Sequence, residues 1–209
     1  MIVLDFGSGN TCRNDIGTIK QMLDELKKVD TGKHEIVIKF QLFKEAGENI
    51  PLDRKIFEQA FKYASKLGYR TTSSVFDLDT LKFLLQFDVP FIKIANRREL
   101  DTLIGEIPRK MLVMVSYGST DELKVAPLGN MQRLLCVSEY PAGIEDYEKA
   151  FDISYYVSCG YGISDHTVDF ELWHKYQPQI VEWHYKIEDS DGLDAGPFAR
   201  TPAQLRKIL

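Results

Sequence analysis

The stretch Ile36-Val37-Ile38-Lys39-Phe40-Gln41 reads in two registers. Successive side chains of a strand point to opposite faces. Ile36, Ile38 and Phe40 therefore make one apolar face, while the other face ends in Lys39 and Gln41 at the C-terminal end of the strand. In a parallel barrel, helices cover the outer face and the inner face opens at the C-terminal mouth, so this pattern fits a barrel strand. Phe91-Ile92-Lys93-Ile94-Ala95 repeats the arrangement with Lys93 inside. Ile180-Val181-Glu182-Trp183-His184-Tyr185 puts Val181, Trp183 and Tyr185 outside and Glu182 and His184 inside, and Gly162, Ser164 and His166 share one parity.

Outward from these runs, strands and helices alternate. Strands are expected at Ile2–Gly7, Glu35–Gln41, Tyr69–Phe76, Phe91–Ala95, Met111–Ser116, Arg133–Ser138, Gly160–Asp165 and Ile180–Tyr185. Asn14–Lys28 and Arg54–Leu67 carry 3.6-residue apolar spacing, and Asp77–Phe87 opens on a capping aspartate. Glu145–Phe151 and Val168–Tyr176 are shorter, and Ser119–Asn130 is too brief and too punctuated by Pro and Gly for a full helix. Thr201 and Pro202 read as the N-cap and first residue of a closing helix over Thr201–Leu209. Strand–helix alternation predicts parallel strands with right-handed crossovers. The expected fold is α/β, a compact (β/α)8 TIM barrel with shortened helices, forming one domain over residues 1–209.

Composition narrows the function. Hydrophobic content of 44% and charged content of 27% are ordinary for a globular chain, and a net charge of -5 without a Lys/Arg stripe argues against nucleic acid. The implied partner is a small molecule. No apolar run is long enough to span a bilayer, and Met1-Ile2-Val3-Leu4 leads into Asp5 without the basic and apolar regions of a signal peptide. Cys12, Cys136 and Cys159 are widely spaced and odd in number, which fits a reduced, cytoplasmic chain.

Lys39, Lys93, His166, His184 and the hydroxyls of Thr72, Ser74, Ser116, Ser138 and Ser164 converge on the mouth, where barrel active sites form. Two inward ammonium groups need an anion, and hydroxyl donors beside them suit a phosphate or carboxylate. Each lysine can instead pair with an internal carboxylate such as Asp5 or Glu182. His166 and His184, at the ends of adjacent strands, can reach one cation. His34 and His174 are expected to face solvent.

Six collinear segments resemble the sialic acid synthase family from about Asp5 to the end of the chain. They are Lys39-Phe40-Gln41, Ser73-Ser74-Val75-Phe76-Asp77, Val89-Pro90-Phe91-Ile92-Lys93-Ile94-Ala95, Cys136-Val137-Ser138-Glu139-Tyr140-Pro141, Gly162-Ile163-Ser164-Asp165-His166-Thr167 and Glu182-Trp183-His184-Tyr185. The resemblance implies condensation of phosphoenolpyruvate with N-acetylmannosamine or a related sugar, giving a nonulosonic acid and phosphate. It implies His166 and His184 as ligands of a divalent metal, Mn2+ or Mg2+. Lys39, Ser74, Lys93, Ser116, Ser138 and Ser164 become the phosphoenolpyruvate cradle, and Tyr140 and Asp194 the sugar-binding positions. Asp5 stands where the family has a glutamate beside the reacting carbons, and joins Lys39 and Lys93 as a catalytic candidate. Gln41, Asn96 and Arg98 are further substrate-binding candidates.

Three departures stand out. The family's Lys-Ile-x-Ser-Gly-Glu is here Lys93-Ile94-Ala95-Asn96-Arg97-Arg98, so Arg97 or Arg98 is expected to bring a positive charge to the sugar in cis. Gly7-Ser8-Gly9-Asn10 replaces an Asn-His pair. The sequence ends with the barrel, without the antifreeze-like domain that in typical members lends an arginine to a partner subunit; a homodimer remains an expected assembly. Two other readings stay open: a Schiff-base aldolase using Lys93 or Lys39, and a non-catalytic sugar-binding or assembly barrel.

Overall fold

The computed structural model describes residues 1–44, 49–120, 130–188 and 190–209. Most of the Ser119–Asn130 link, residues 121–129, lies outside the described residues.

Eight strands form the frame: β1 Ile2–Asp5, β2 Ile36–Leu42, β3 Arg70–Val75, β4 Ile92–Ile94, β5 Val113–Tyr117, β6 Met131–Cys136, β7 Gly162–Asp165 and β8 Val181–His184. Each pairs in parallel with the next, and β8 returns to β1, closing the (β/α)8 barrel. The register sets the chemistry side by side. Asp5 lies between Lys39 on β2 and His184 on β8, Ser74 lies beside Lys93, and Ser164 beside Glu182.

The strand parity read from sequence holds. Ile36, Ile38 and Phe40 join the large core between sheet and helices, whereas Val37 packs with Val3, Phe91, Met114 and Leu134 in a small plug inside the barrel. Above this plug the interior turns polar, so the apolar base supports a polar mouth. Gly7, at the end of β1, has φ +71°, and a Cβ there would run into Thr11 and approach Asp194 to 3.0 Å. That glycine lets the chain turn sharply just past Asp5.

The helices α1 Ile16–Val29, α2 Arg54–Lys66 and α3 Leu78–Leu84 start where capping aspartates stand. Asp15 accepts from Thr18 N, Asp53 from Lys55 N and Ile56 N, and Asp77 from Thr80 N. Each satisfies donors that the first turn leaves unpaired. α1 buries Ile19, Met22, Leu23 and Leu26, each worth about 1.5–3 kcal/mol of transfer free energy. The rest of the outer layer is short: α4 Ile144–Ala150, α5 Ile153–Ser158, α6 Glu171–Tyr176 and α7 Pro202–Leu205, the last capped by Thr201.

Several boundaries differ from expectation. β6 starts at Met131 and ends at Cys136, leaving Ser138 on the loop above it. α6 begins at Glu171 rather than Val168 because Asp169 is held in a turn, its carbonyl accepting from Thr167 Oγ1 and its carboxylate from Glu171 N. The layer over β4 is a 3-10 helix, Arg98–Glu106, and α5 is an additional helix; neither carries a run of apolar spacing long enough to announce itself. No helix among the described residues is long and apolar enough to cross a membrane.

Candidate active site

At the floor of the mouth, Lys39 Nζ lies 2.6 Å from Asp5 Oδ2, 3.1 Å from Ser74 Oγ and 3.6 Å from Glu182 Oε1. Asp5 also accepts from the Gly7 amide and from Gln41 Nε2, each at 2.9 Å. Burial pushes the Asp5 carboxyl up, but Lys39, His184 and the hydrogen bonds from Lys39 and Gly7 outweigh it and bring it down to about 2. For Lys39, burial works against the charge, and Asp5 and Glu182 more than restore it. Both partners are therefore ionised, and the expectation of a lysine paired internally is met by Lys39. Lys93 is held differently, by the Ile94 carbonyl at 3.0 Å and Ser116 Oγ at 2.8 Å.

His166 is fixed at two points. Its Nδ1 lies 2.6 Å from the Val137 carbonyl oxygen, which can only accept, so Nδ1 carries the proton and Nε2 keeps its lone pair. Its backbone N–H donates to the Tyr147 hydroxyl at 3.0 Å, which in turn donates to the Ser164 carbonyl at 2.6 Å. Burial, reinforced by His184, holds the His166 imidazole down at about 3. It is a neutral ring, 4.2 Å from the Tyr140 ring centre to centre.

His184 stands 5.5 Å from His166 between ring centres. Its Nδ1 is 3.6 Å from Asp5 Oδ2 and 3.5 Å from Asp194 Oδ1. Nδ1 of His184 and Oδ2 of Asp194 are buried without hydrogen-bond partners among the described residues. One ligand atom from each of Asp5, His184 and Asp194 lies within 4.8 Å of the others, so these residues fit a divalent cation. The two-histidine reading thus gains carboxylate neighbours at His184. His166 Nε2 faces Ser164 Oγ at 3.5 Å, outside that cluster.

Behind the two histidines, Trp183 Nε1 donates to Asp165 Oδ2 at 2.7 Å, and Arg200, fully buried, reaches the same carboxylate at 3.3 Å. Arg200 also donates to the carbonyls of Thr167 and Asp169. The Asp beside His166 and the Trp beside His184 face away from the mouth and bind each other. They tie β7 to β8 and keep the two imidazoles in register.

A cavity of about 740 Å³ fills the mouth, and every site residue expected from sequence lines it except Thr72 and Arg98. Asn96 Nδ2 donates to Ser138 Oγ at 2.9 Å, linking the loops above β4 and β6. Arg98 is corrected. It donates to the Ser116 carbonyl, pairs with Asp101 at 3.1 Å and lies over the Tyr117 ring, because the 3-10 helix turns it behind β5. Its neighbour Arg97 lines the cavity instead. Thr72 lies deeper than expected, donating to the Phe91 carbonyl. Tyr147, Cys136 and Phe198 escaped the sequence reading. Cys136 follows the inward parity of β6 and was legible in principle, whereas Tyr147 reaches the site from α4, where spacing marks it only as core. His174 is exposed as expected, while His34 is half-buried against Trp173.

A model described as the NeuB family matches residues 20–209. Among curated proteins no sequence match reaches significance. Solved structures share the fold. N-acetylneuraminic acid (sialic acid) synthetase of Leptospira borgpetersenii, in complex with citrate, superposes with a TM-score of 0.78 at 23% identity, covering 99% of this chain and 80% of that one. A spore coat polysaccharide biosynthesis protein of Bacillus subtilis gives 0.78 at 16% identity, covering 99% and 65%. Phospho-2-dehydro-3-deoxyheptonate aldolase (DAHP synthase) of Thermotoga maritima gives 0.70 at 14%, covering 99% and 66%.

Proposed function

The chain belongs to the NeuB family, and on that premise we propose that its single barrel condenses phosphoenolpyruvate with an N-acetylmannosamine-like sugar aldehyde, giving a sialic-type nonulosonic acid and phosphate. The observation that carries this reading is the charge inventory of the cavity floor. Asp5, Glu182 and Asp194 face Lys39 and Lys93 there, three carboxyl groups against two amines, with burial pushing the Asp194 carboxyl up. A divalent cation would favour an anionic substrate entering such a floor, and His184 Nδ1 and Asp194 Oδ2, which lack hydrogen-bond partners among the described residues, would provide ligands. His166, a neutral imidazole with its Nε2 lone pair free of a proton, stands outside that cluster at the end of the adjacent strand, its ring centre 5.5 Å from that of His184, as a further donor. When bound, Mn2+ or Mg2+ supplies Lewis-acid polarisation of the sugar carbonyl.

The protein's own groups do the rest. Lys39, with Ser74 beside it, faces the phosphoenolpyruvate anion, and an anion next to Lys93 favours the charged form of that amine. Ser116, Ser138 and Ser164 offer hydroxyl donors around it. Asp5, held ionised and immobile by three hydrogen bonds, stabilises positive charge developing at carbon 2. Tyr140 and Asp194 border the acceptor, with Phe198 as an apolar wall. Positioning and electrostatics carry the catalysis.

The test is phosphate release from phosphoenolpyruvate with Mn2+, across N-acetylmannosamine and related hexosamines, with His166→Ala as control. Release that needs sugar and metal and is lost in the variant supports the reading. No release with any sugar, despite metal binding, sinks it in favour of a binding role.

A further inference from the structure

The two lysines of the cavity differ in how burial is compensated. Lys39 has a carboxylate at 2.6 Å, whereas the carboxylate nearest Lys93 among the described residues is Glu182 Oε2 at 3.9 Å, an ion-pair separation beyond hydrogen-bond distance. Lys93 Nζ makes two hydrogen bonds, to the Ile94 carbonyl and to Ser116 Oγ. An ammonium has three donors, a neutral amine two and a lone pair. Two acceptors satisfy the amine and leave its lone pair unengaged. The ammonium would leave one buried N–H without a hydrogen bond, its nearest carboxylate being Glu182 at 3.9 Å, a cost the amine avoids. Burial pushes the proton affinity of Lys93 down, Glu182 restores only part of it, and Lys39 adds repulsion.

We propose that Lys93 is a nucleophile in the ligand-free cavity and forms an imine with the carbonyl carbon of a small 2-keto acid. This chemistry goes beyond the condensation proposed above, which makes no imine, and does not depend on it. The placement suits the reaction. Lys39 and Ser74 can take the keto acid's carboxylate, and Ser74 is the register partner of Lys93, so the adjacent carbonyl carbon falls toward Nζ. The lone pair forms the C–N bond as the C–O π bond breaks. The carbonyl oxygen takes up the two protons the amine gives up, relayed by Glu182, and leaves as water. No oxidant or reductant is needed.

The experiment is reductive trapping. The full chain is incubated at neutral pH with pyruvate and cyanoborohydride, and lysines carrying the reduced adduct are located by peptide mass mapping. The expected result is one dominant adduct, on Lys93, forming about tenfold or more faster than on exposed lysines, whose amines are almost fully protonated at that pH. The preference should vanish in urea-unfolded protein, and Lys93→Arg should remove the adduct. An adduct on Lys39, no adduct, or labelling of Lys93 no faster than in the unfolded chain would overturn the proposal. The wild-type map decides the matter even if the variant folds poorly, and failure of phosphoenolpyruvate condensation would leave this result untouched.

Discussion

Lys39 Nζ and Asp5 Oδ2 meet at 2.6 Å across adjacent strands, both side chains almost wholly buried. Removing Asp5 leaves the buried Lys39 charge with only the more distant Glu182 carboxylate, at 3.6 Å. Asp5→Asn should therefore destabilise the fold by about 3–5 kcal/mol, read by urea unfolding. The pH sign follows from Asp5 lying at about 2, below its ordinary 3.8. Its contribution is complete above the ordinary value and is lost as pH falls toward about 2. The wild type should lose its advantage over Asp5→Asn in that window, and a gap unchanged from pH 5 to 2 would contradict the pairing.

Asp165, Trp183 and Arg200 form a staple whose effect should reach the mouth. Trp183→Phe removes a hydrogen bond to a charged acceptor and should cost about 1.5–3 kcal/mol. Because the staple sets His166 against His184, Mn2+ affinity should also fall, by about 10- to 100-fold, as when groups supporting metal ligands are changed. Calorimetric titration checks this. Lost stability with unchanged Mn2+ affinity would confine the staple to structure.

Much of this was legible in strand parity. Lys39, Lys93, Glu182 and His184 had to face inward because their neighbours Phe40, Ile92, Trp183 and Tyr185 are apolar at the opposite parity, and period 2 admits no other choice. Loop residues carry no such constraint. Arg97 and Arg98 are adjacent and alike in chemistry, and only the 3-10 turn that begins at Arg98 decides which reaches the cavity. The tie from α4 through Tyr147 to His166 was hidden for a related reason. A tyrosine at an apolar position reads as core, and its hydroxyl partner is set by tertiary packing alone.

The arginine pair therefore yields a divided prediction. Arg97 lines the cavity and is half-exposed, with Glu99 as its ion-pair partner at 2.6 Å. Arg97→Ala should raise the acceptor sugar's KM by up to about tenfold, equivalent to about 1.4 kcal/mol. Arg98→Ala should leave that KM in place and cost about 1 kcal/mol of stability, from its contacts with Tyr117 and Asp101. Steady-state kinetics and a melting curve on each variant separate the two, and equal KM values for wild type and Arg97→Ala would exclude a role for Arg97 in sugar binding.

His166 gives a second pH dependence, in a window separate from that of Asp5. Burial holds its imidazole at about 3 in the folded chain, against an ordinary 6.5. Between those values the unfolded chain binds a proton that the folded chain refuses, so unfolding takes up a proton and stability falls as pH falls. The slope is about 1.4 kcal/mol per pH unit for this one group, starting near 6.5 and ending near 3. His166→Gln has no proton to gain and should lack that component. Urea unfolding of both proteins at pH 7, 6 and 5, with a chelator present so that metal binding does not enter, measures the difference. The curves should converge as the solution is acidified, because the wild type alone carries the penalty. Parallel curves would mean that the ring takes up its proton in place, and that burial beside His184 does not hold it neutral.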